Sequence, residues 1–169
     1  LTIGQDECDN VITVTACAAD NTNYSDTITI TVKDTFKKIL SEGETRIRLI
    51  DYDQASSNFS KENCNDVDSS SNLTNLTGGQ WVEFNIVVEK SGIYSIDFRY
   101  ASPVDSAGPI NILIDGSHSA SAEGMKITGG WQIWGTHTID QIFLPAGEHI
   151  LRLDCQGHSY NLNWIRIYK

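Results

Sequence analysis

Two tryptophans three residues apart, Trp131 and Trp134, close the stretch T-G-G-W-Q-I-W that begins at Thr128. Side chains alternate along a strand, so the two rings cannot share one face of a regular strand. Either both pack as core around an irregular backbone, or Gly129 and Gly130 turn Trp131 out at a loop tip while Trp134 enters the strand as packing. A rigidly held, exposed ring makes no covalent bonds; it stacks on something flat. The residues that could do covalent chemistry do not converge. His118, His137, His149 and His158 are dispersed, and Asp51, Asp53, Asp66 and Asp68 lie in loops, as expected of an acidic chain. No Gly-rich phosphate loop, H-E-x-x-H or G-x-S-x-G occurs, so the chain reads as a binding protein and not an enzyme.

The surrounding composition agrees. A net charge of −10 over 169 residues disfavours nucleic acid and anionic membranes as partners and suits a neutral ligand or simple solubility. No apolar run approaches the roughly 18 residues of a membrane span. The start at Leu1, with no signal peptide, reads as a processed product or a fragment. Cys8, Cys17, Cys64 and Cys155 lack C-x-x-C spacing, which argues against a zinc or redox site. An even count in an oxidising compartment suggests a local bridge, Cys8–Cys17, and a long-range one, Cys64–Cys155; buried thiols are the alternative. Asn23, Asn58, Asn72 and Asn75 each begin an N-x-S/T sequon.

The elements that must hold the Trp loop are strands. Residues 1–34 contain two alternating runs, Val11 to Ala16 and Thr27 to Val32, around a turn-rich segment, and read as a β-hairpin. A lone hairpin is marginal in water, so it docks on the rest, pairs with a neighbouring chain, or belongs to an upstream domain. Residues 35–44 read as a solvated connector with a helical turn at Phe36 to Leu40. From 45 to 169 short strands recur: Arg46 to Asp51, Trp81 to Val88, Ile93 to Tyr100, Ile110 to Asp115, Thr136 to Leu144, Ile150 to Cys155 and Leu162 to Tyr168. Gln54 to Thr77 reads as a long polar loop. Short strands at this spacing predict an all-β fold, a jelly-roll β-sandwich.

Landmarks in that second part resemble family 6 carbohydrate-binding modules. They run R-I-x-x-x-D-Y-D (Arg46 to Asp53), G-x-W-V-E-F (Gly79 to Phe84), S-G-x-Y (Ser91 to Tyr94), I-D-G (Ile114 to Gly116), T-G-G-W-Q-x-W, L-P-A-G-x-H-x-L (Leu144 to Leu151) and N-L-N-W (Asn161 to Trp164). The resemblance implies a jelly roll that holds sugars in a loop cleft between two aromatic rings, with an Asn bonding the hydroxyls. Trp131 then matches the stacking ring and Asn161 the amide; the alternative for Asn161 is a turn residue. The second ring falls on Asn75, with Tyr160 as a substitute. The family's calcium ligands fall on Arg48, Ile50 and Asn163, which implies a lost metal site and no cofactor. A second site on the concave sheet face would use Trp81 and Asn111. The hairpin, in turn, resembles the last two strands of a bacterial immunoglobulin-like domain.

Two functions follow. The first is a non-catalytic appendage that holds a larger secreted or surface protein on a polysaccharide. The second is a structural or assembly subunit of an extracellular fibre or surface layer, with the hairpin pairing to a neighbouring chain.

Overall fold

In the strand Trp81–Val88 every second residue is apolar, and Val82, Phe84, Ile86 and Val88 are all buried. The same period inserts Tyr94, Ile96, Phe98 and Tyr100 from the next strand. Each such side chain contributes about 1.5–3 kcal/mol relative to leaving it in water, so period-2 patterning selects strands whose apolar faces must meet. The computed structural model describes residues 11–17, 25–31, 37–56, 60–67, 70–105 and 107–169. They fall into two compact units, Leu1–Thr35 and Phe36–Lys169.

The first unit is a two-stranded antiparallel sheet of β1 (Val11–Cys17) and β2 (Ser25–Thr31), in register from Val11 opposite Thr31 to Cys17 opposite Ser25. The expected Cys8–Cys17 bridge lies outside the described residues, as do the sequons Asn23 and Asn58.

The second unit is a sandwich of two sheets. Its strands are β3 (Lys37–Ile39), β4 (Glu44–Arg48), β5 (Gln54–Ala55), β6 (Ser60–Asn63), β7 (Ser71–Thr77), β8 (Trp81–Val88), β9 (Gly92–Ala101), β10 (Ile110–Ile114), β11 (Ser117–Ala122), β12 (Trp134–Leu144), β13 (Gly147–Cys155) and β14 (His158–Tyr168). One sheet runs β11-β10-β13-β8-β3, with β5 also on β8; the other runs β12-β9-β14-β7-β6, with β4 also on β14. Phe84, Phe98, Tyr94 and Tyr160 fill the space between them. Among the described residues no helix is long and apolar enough to cross a membrane.

Three expectations are corrected. Residues 37–39 form no helical turn; they are a strand parallel to β8, with Ile39 fully buried. The connector is solvent-exposed at Lys38, Leu40 and residues 42–44, as expected, but it is also clamped. Lys37 Nζ reaches Asp53 Oδ2 at 2.8 Å, Lys38 pairs with Glu89 at 2.8 Å, and Glu89 Oε2 also accepts the Ser41 amide at 2.9 Å. These bonds hold the Glu89 carboxyl down at about 2. The polar stretch 54–77 carries β5, β6 and β7. Its pattern hides strands because Asn72 is buried in a hydrogen-bond network where a core residue would normally be apolar.

Cys64 and Cys155 are separate thiols, not a disulfide. Cys155 ends β13 inside the core, whereas Cys64 follows β6 at the margin of the other sheet. Burial pushes the Cys155 thiol up to about 11, which keeps it protonated and unreactive at neutral pH.

Candidate binding cleft

The Trp131 loop is fixed at its root by the end of β9. Thr128 and Gly129 donate their amides to Ser102 O at 3.0 and 3.2 Å, and Thr128 Oγ1 accepts the Ser102 amide at 2.8 Å. Gly129 takes φ +105°, which a side chain would strain, and Ile133 N closes a turn on Gly130 O at 3.3 Å. This turn leaves Trp131 at 40% exposure. Trp134 opens β12 half-buried, with its indole N–H donated to Asn65 Oδ1 at 3.0 Å.

The Trp131 backbone is bonded into a network of amides around one carboxylate. Asn161 Nδ2 donates to Trp131 O and to Glu62 Oε1, both at 2.7 Å, and Asn161 Oδ1 accepts the Asn75 amide at 2.8 Å. Gln132 Nε2 donates to Glu62 Oε1 at 2.6 Å and to Asn72 Oδ1 at 3.1 Å. Asn72 Nδ2 adds a third, longer bond to Glu62 Oε1 at 3.3 Å. Glu62 Oε1 is therefore shared by three neutral amides from β7, the Trp131 loop and β14. Among the described residues nothing bonds its other oxygen.

Further hydrogen bonds, to Gln132 and from Arg99, pin the segment after β6. Gln132 Oε1 accepts the Asn65 amide at 3.0 Å, and Arg99 grips Asp66 through Nε at 2.9 Å and Nη2 at 2.7 Å. Burial alone would raise the Asp66 pKa, but the bonds from Arg99 and Asn163 outweigh it and hold the carboxyl below 3.8. A lowered carboxylate stabilises the fold above its unfolded value and loses that contribution only as pH falls through the folded value. The pin therefore persists through neutral and mildly acid pH.

Among the residues singled out from sequence, the structure brings together Trp131, Asn161 and Asn75. Asn75 is exposed, with φ +51°. Tyr160 is not beside them as a second ring: it is fully buried, and its hydroxyl donates to Gln156 O at 3.1 Å. Sitting next to Asn161 on β14, it points the opposite way, as strand alternation requires. Trp81 and Asn111 lie on the outer face of the other sheet. Sequence reasoning missed Glu62, Asn72, Asn65 and Gln132. The only signal was Gln132 standing inside the Trp motif.

The three positions of the implied calcium site do not fit the ion. Arg48 forks onto Asp51 at 2.9 and 3.0 Å. Ile50 packs against the core, and its carbonyl accepts Lys61 Nζ at 3.4 Å. Asn163 donates to Asp66 Oδ2 at 2.9 Å and leaves only a buried, unpartnered Oδ1. A guanidinium, an aliphatic side chain and one amide oxygen do not make a shell of about six to eight oxygens that includes carboxylates.

Residues 50–169 match the family model described as carbohydrate binding module (family 6). The chain belongs to carbohydrate-binding module family 6. That family consists of non-catalytic binding modules. The module is 32% identical over 118 residues to the clotting factor G alpha subunit of Tachypleus tridentatus, covering 68% of this chain and 17% of that protein. It is 34% identical over 81 residues to an exo-beta-D-glucosaminidase of Amycolatopsis orientalis, covering 48% of this chain and 8% of that protein. The chain thus spans less than a fifth of the length of either. Among solved structures it resembles the family 6 module of Cellvibrio mixtus lichenase 5A in complex with cellotriose. That match has a TM-score of 0.67 and 28% identity, and covers 74% of this chain and 96% of the other.

Proposed function

We propose that residues 45–169 bind a neutral polysaccharide without cleaving it and hold a larger, secreted or surface-attached protein on it. The observation that carries this reading is the half-exposed Trp131 ring on a loop whose backbone is bonded into a prearranged carboxylate–amide network. A pyranose has an apolar face for the ring and hydroxyls for the network. Asn161 is the positioning group, since both its amide hydrogens and its oxygen are already engaged. Glu62 presents the acceptor to ligand hydroxyls, and a charge-assisted bond of this kind contributes about 1.5–3 kcal/mol. With Asn75 where a second ring would stand, the sugar is gripped on one face only, which implies weak affinity per site. Affinity electrophoresis of the full chain on plant, algal and fungal polysaccharides tests the reading, beginning with β-linked glucose polymers because of the likeness to the cellotriose-bound module. Retardation by at least one neutral polymer is expected; mobility unchanged on all of them would end the reading.

No metal takes part in this function. Adding calcium or a chelator is expected to leave both the melting temperature and sugar retardation unchanged, given Arg48 and Lys61 where a cation would sit. A chelator-induced fall in melting temperature would show that the site survives in another form.

The hairpin has a separate role in this reading. Among the described residues, β1 and β2 pair only with each other, which leaves edges that a neighbouring chain or an immunoglobulin-like partner domain can extend. Deleting residues 1–34 is expected to change the assembly state in size-exclusion chromatography while the jelly roll melts as before. A large fall in melting temperature would instead make the hairpin part of the module's core.

A further inference from the structure

A second aromatic ring stands on a sheet face away from the cleft. Trp81 alternates with buried Val82, so it faces outward from β8. It lies opposite Asp154 on β13, Asp154 lies opposite Asn111 on β10, and Asn111 lies opposite Ser121 on β11. Ring, carboxylate, amide and hydroxyl thus form one row across four strands, the chemistry of a stacking platform with hydrogen-bonding neighbours. Yet the ring is already covered. The Arg152 guanidinium lies 4.1 Å from its centroid.

Arg152 is two residues from Asp154 and so on the same outer face of β13, directly opposite Glu83. Its Nη1 donates to Glu83 Oε1 at 3.3 Å, and Nη2 is 3.8 Å from Asp154 Oδ1. Carboxylates on both strands therefore hold the cation over the ring. A guanidinium is planar and weakly hydrated, so it covers an indole well. The far end of the row is also engaged internally: Ser121 Oγ donates to Asn111 Oδ1 at 2.9 Å and lies 2.9 Å from His118 Nε2.

We propose that Arg152 is a built-in cap: it occupies the face of Trp81 on which a pyranose would stack, and leaves the module a single sugar site at Trp131. The inference rests on the carbohydrate reading above. An incoming sugar would have to displace the ring contact and both carboxylate contacts together.

Two measurements on the full chain test the cap. By NMR, the side-chain protons of Arg152 are expected well upfield of their ordinary positions, because they lie over the indole, and Trp81→Ala should return them. Ordinary shifts in the wild type would overturn the cap whether or not any sugar binds. By calorimetry with a neutral oligosaccharide retained in electrophoresis, the wild type is expected to bind one equivalent and Trp131→Ala none. The double variant Trp131→Ala, Arg152→Ala should regain binding, and adding Trp81→Ala should remove it again. Trp81-dependent binding by Trp131→Ala alone would show an open face. A folded double variant that stays silent would show that Arg152 is not what closes it. A wild type that binds no sugar would count against the carbohydrate reading, while the NMR result still decides the cap.

Discussion

Trp131→Ala abolishes detectable polysaccharide retardation and leaves the melting temperature nearly unchanged. The ring is 40% exposed and stands on a loop, so little core packing is lost. Its frame also survives, because Asn161 bonds the Trp131 backbone carbonyl and not the side chain. The loss of affinity is large. One face of an aromatic ring covers roughly 80–100 Å² of ligand, which is about 2–2.5 kcal/mol at about 25 cal/mol per Å². Stacking adds about 0.5–1.5 kcal/mol beyond area. Together these amount to roughly a hundredfold or more in Kd, enough to put a weak single-site binder beyond measurement. Retardation that survives the substitution would move the site away from this loop.

Glu62→Ala has the opposite profile and is expected to damage both affinity and stability. One carboxylate oxygen serves the amides of Asn72, Gln132 and Asn161, and Asn72 and Asn161 are fully buried. Leaving a buried donor unpaired costs about 1–3 kcal/mol, and water entering from the cleft offsets part of three such losses. A net loss of about 2–4 kcal/mol corresponds to a fall of roughly 10 °C in a domain of this size. Glu62→Gln keeps an acceptor oxygen and should lose much less stability while still binding more weakly. Thermal denaturation followed by electrophoresis separates the two effects. An alanine variant as stable as the wild type would mean that the network is not held together by this carboxylate.

Much of this protein is legible from residue order alone. The alternation in Trp81–Val88 and Gly92–Ala101 dictates strands with one apolar face, because burying such residues outweighs any other local preference. Enough such strands with short turns leave few options besides a sandwich. The glycine pair before Trp131 likewise fixes a turn, since only a residue without a Cβ takes φ +105° without strain. The order of motifs was enough to suggest the family.

Tertiary structure alone decided the rest. Polar side chains carry no periodic signal, so β6 and β7 read as loop, although Glu62 and Asn72 supply much of the network. The partners of Glu62 come from residues 72, 132 and 161, brought together only when β7, the Trp loop and β14 meet at one end of the sandwich. Cys64, expected to pair with Cys155, follows β6 of one sheet, whereas Cys155 ends β13 of the other, and the two remain separate thiols. Tyr160 and Asn161 are neighbours in sequence, but strand alternation sends one into the core and the other to the Trp131 loop. Spacing along a chain fixes which faces exist; which side chains share a face across strands depends on register, and that is set only when the sheets close.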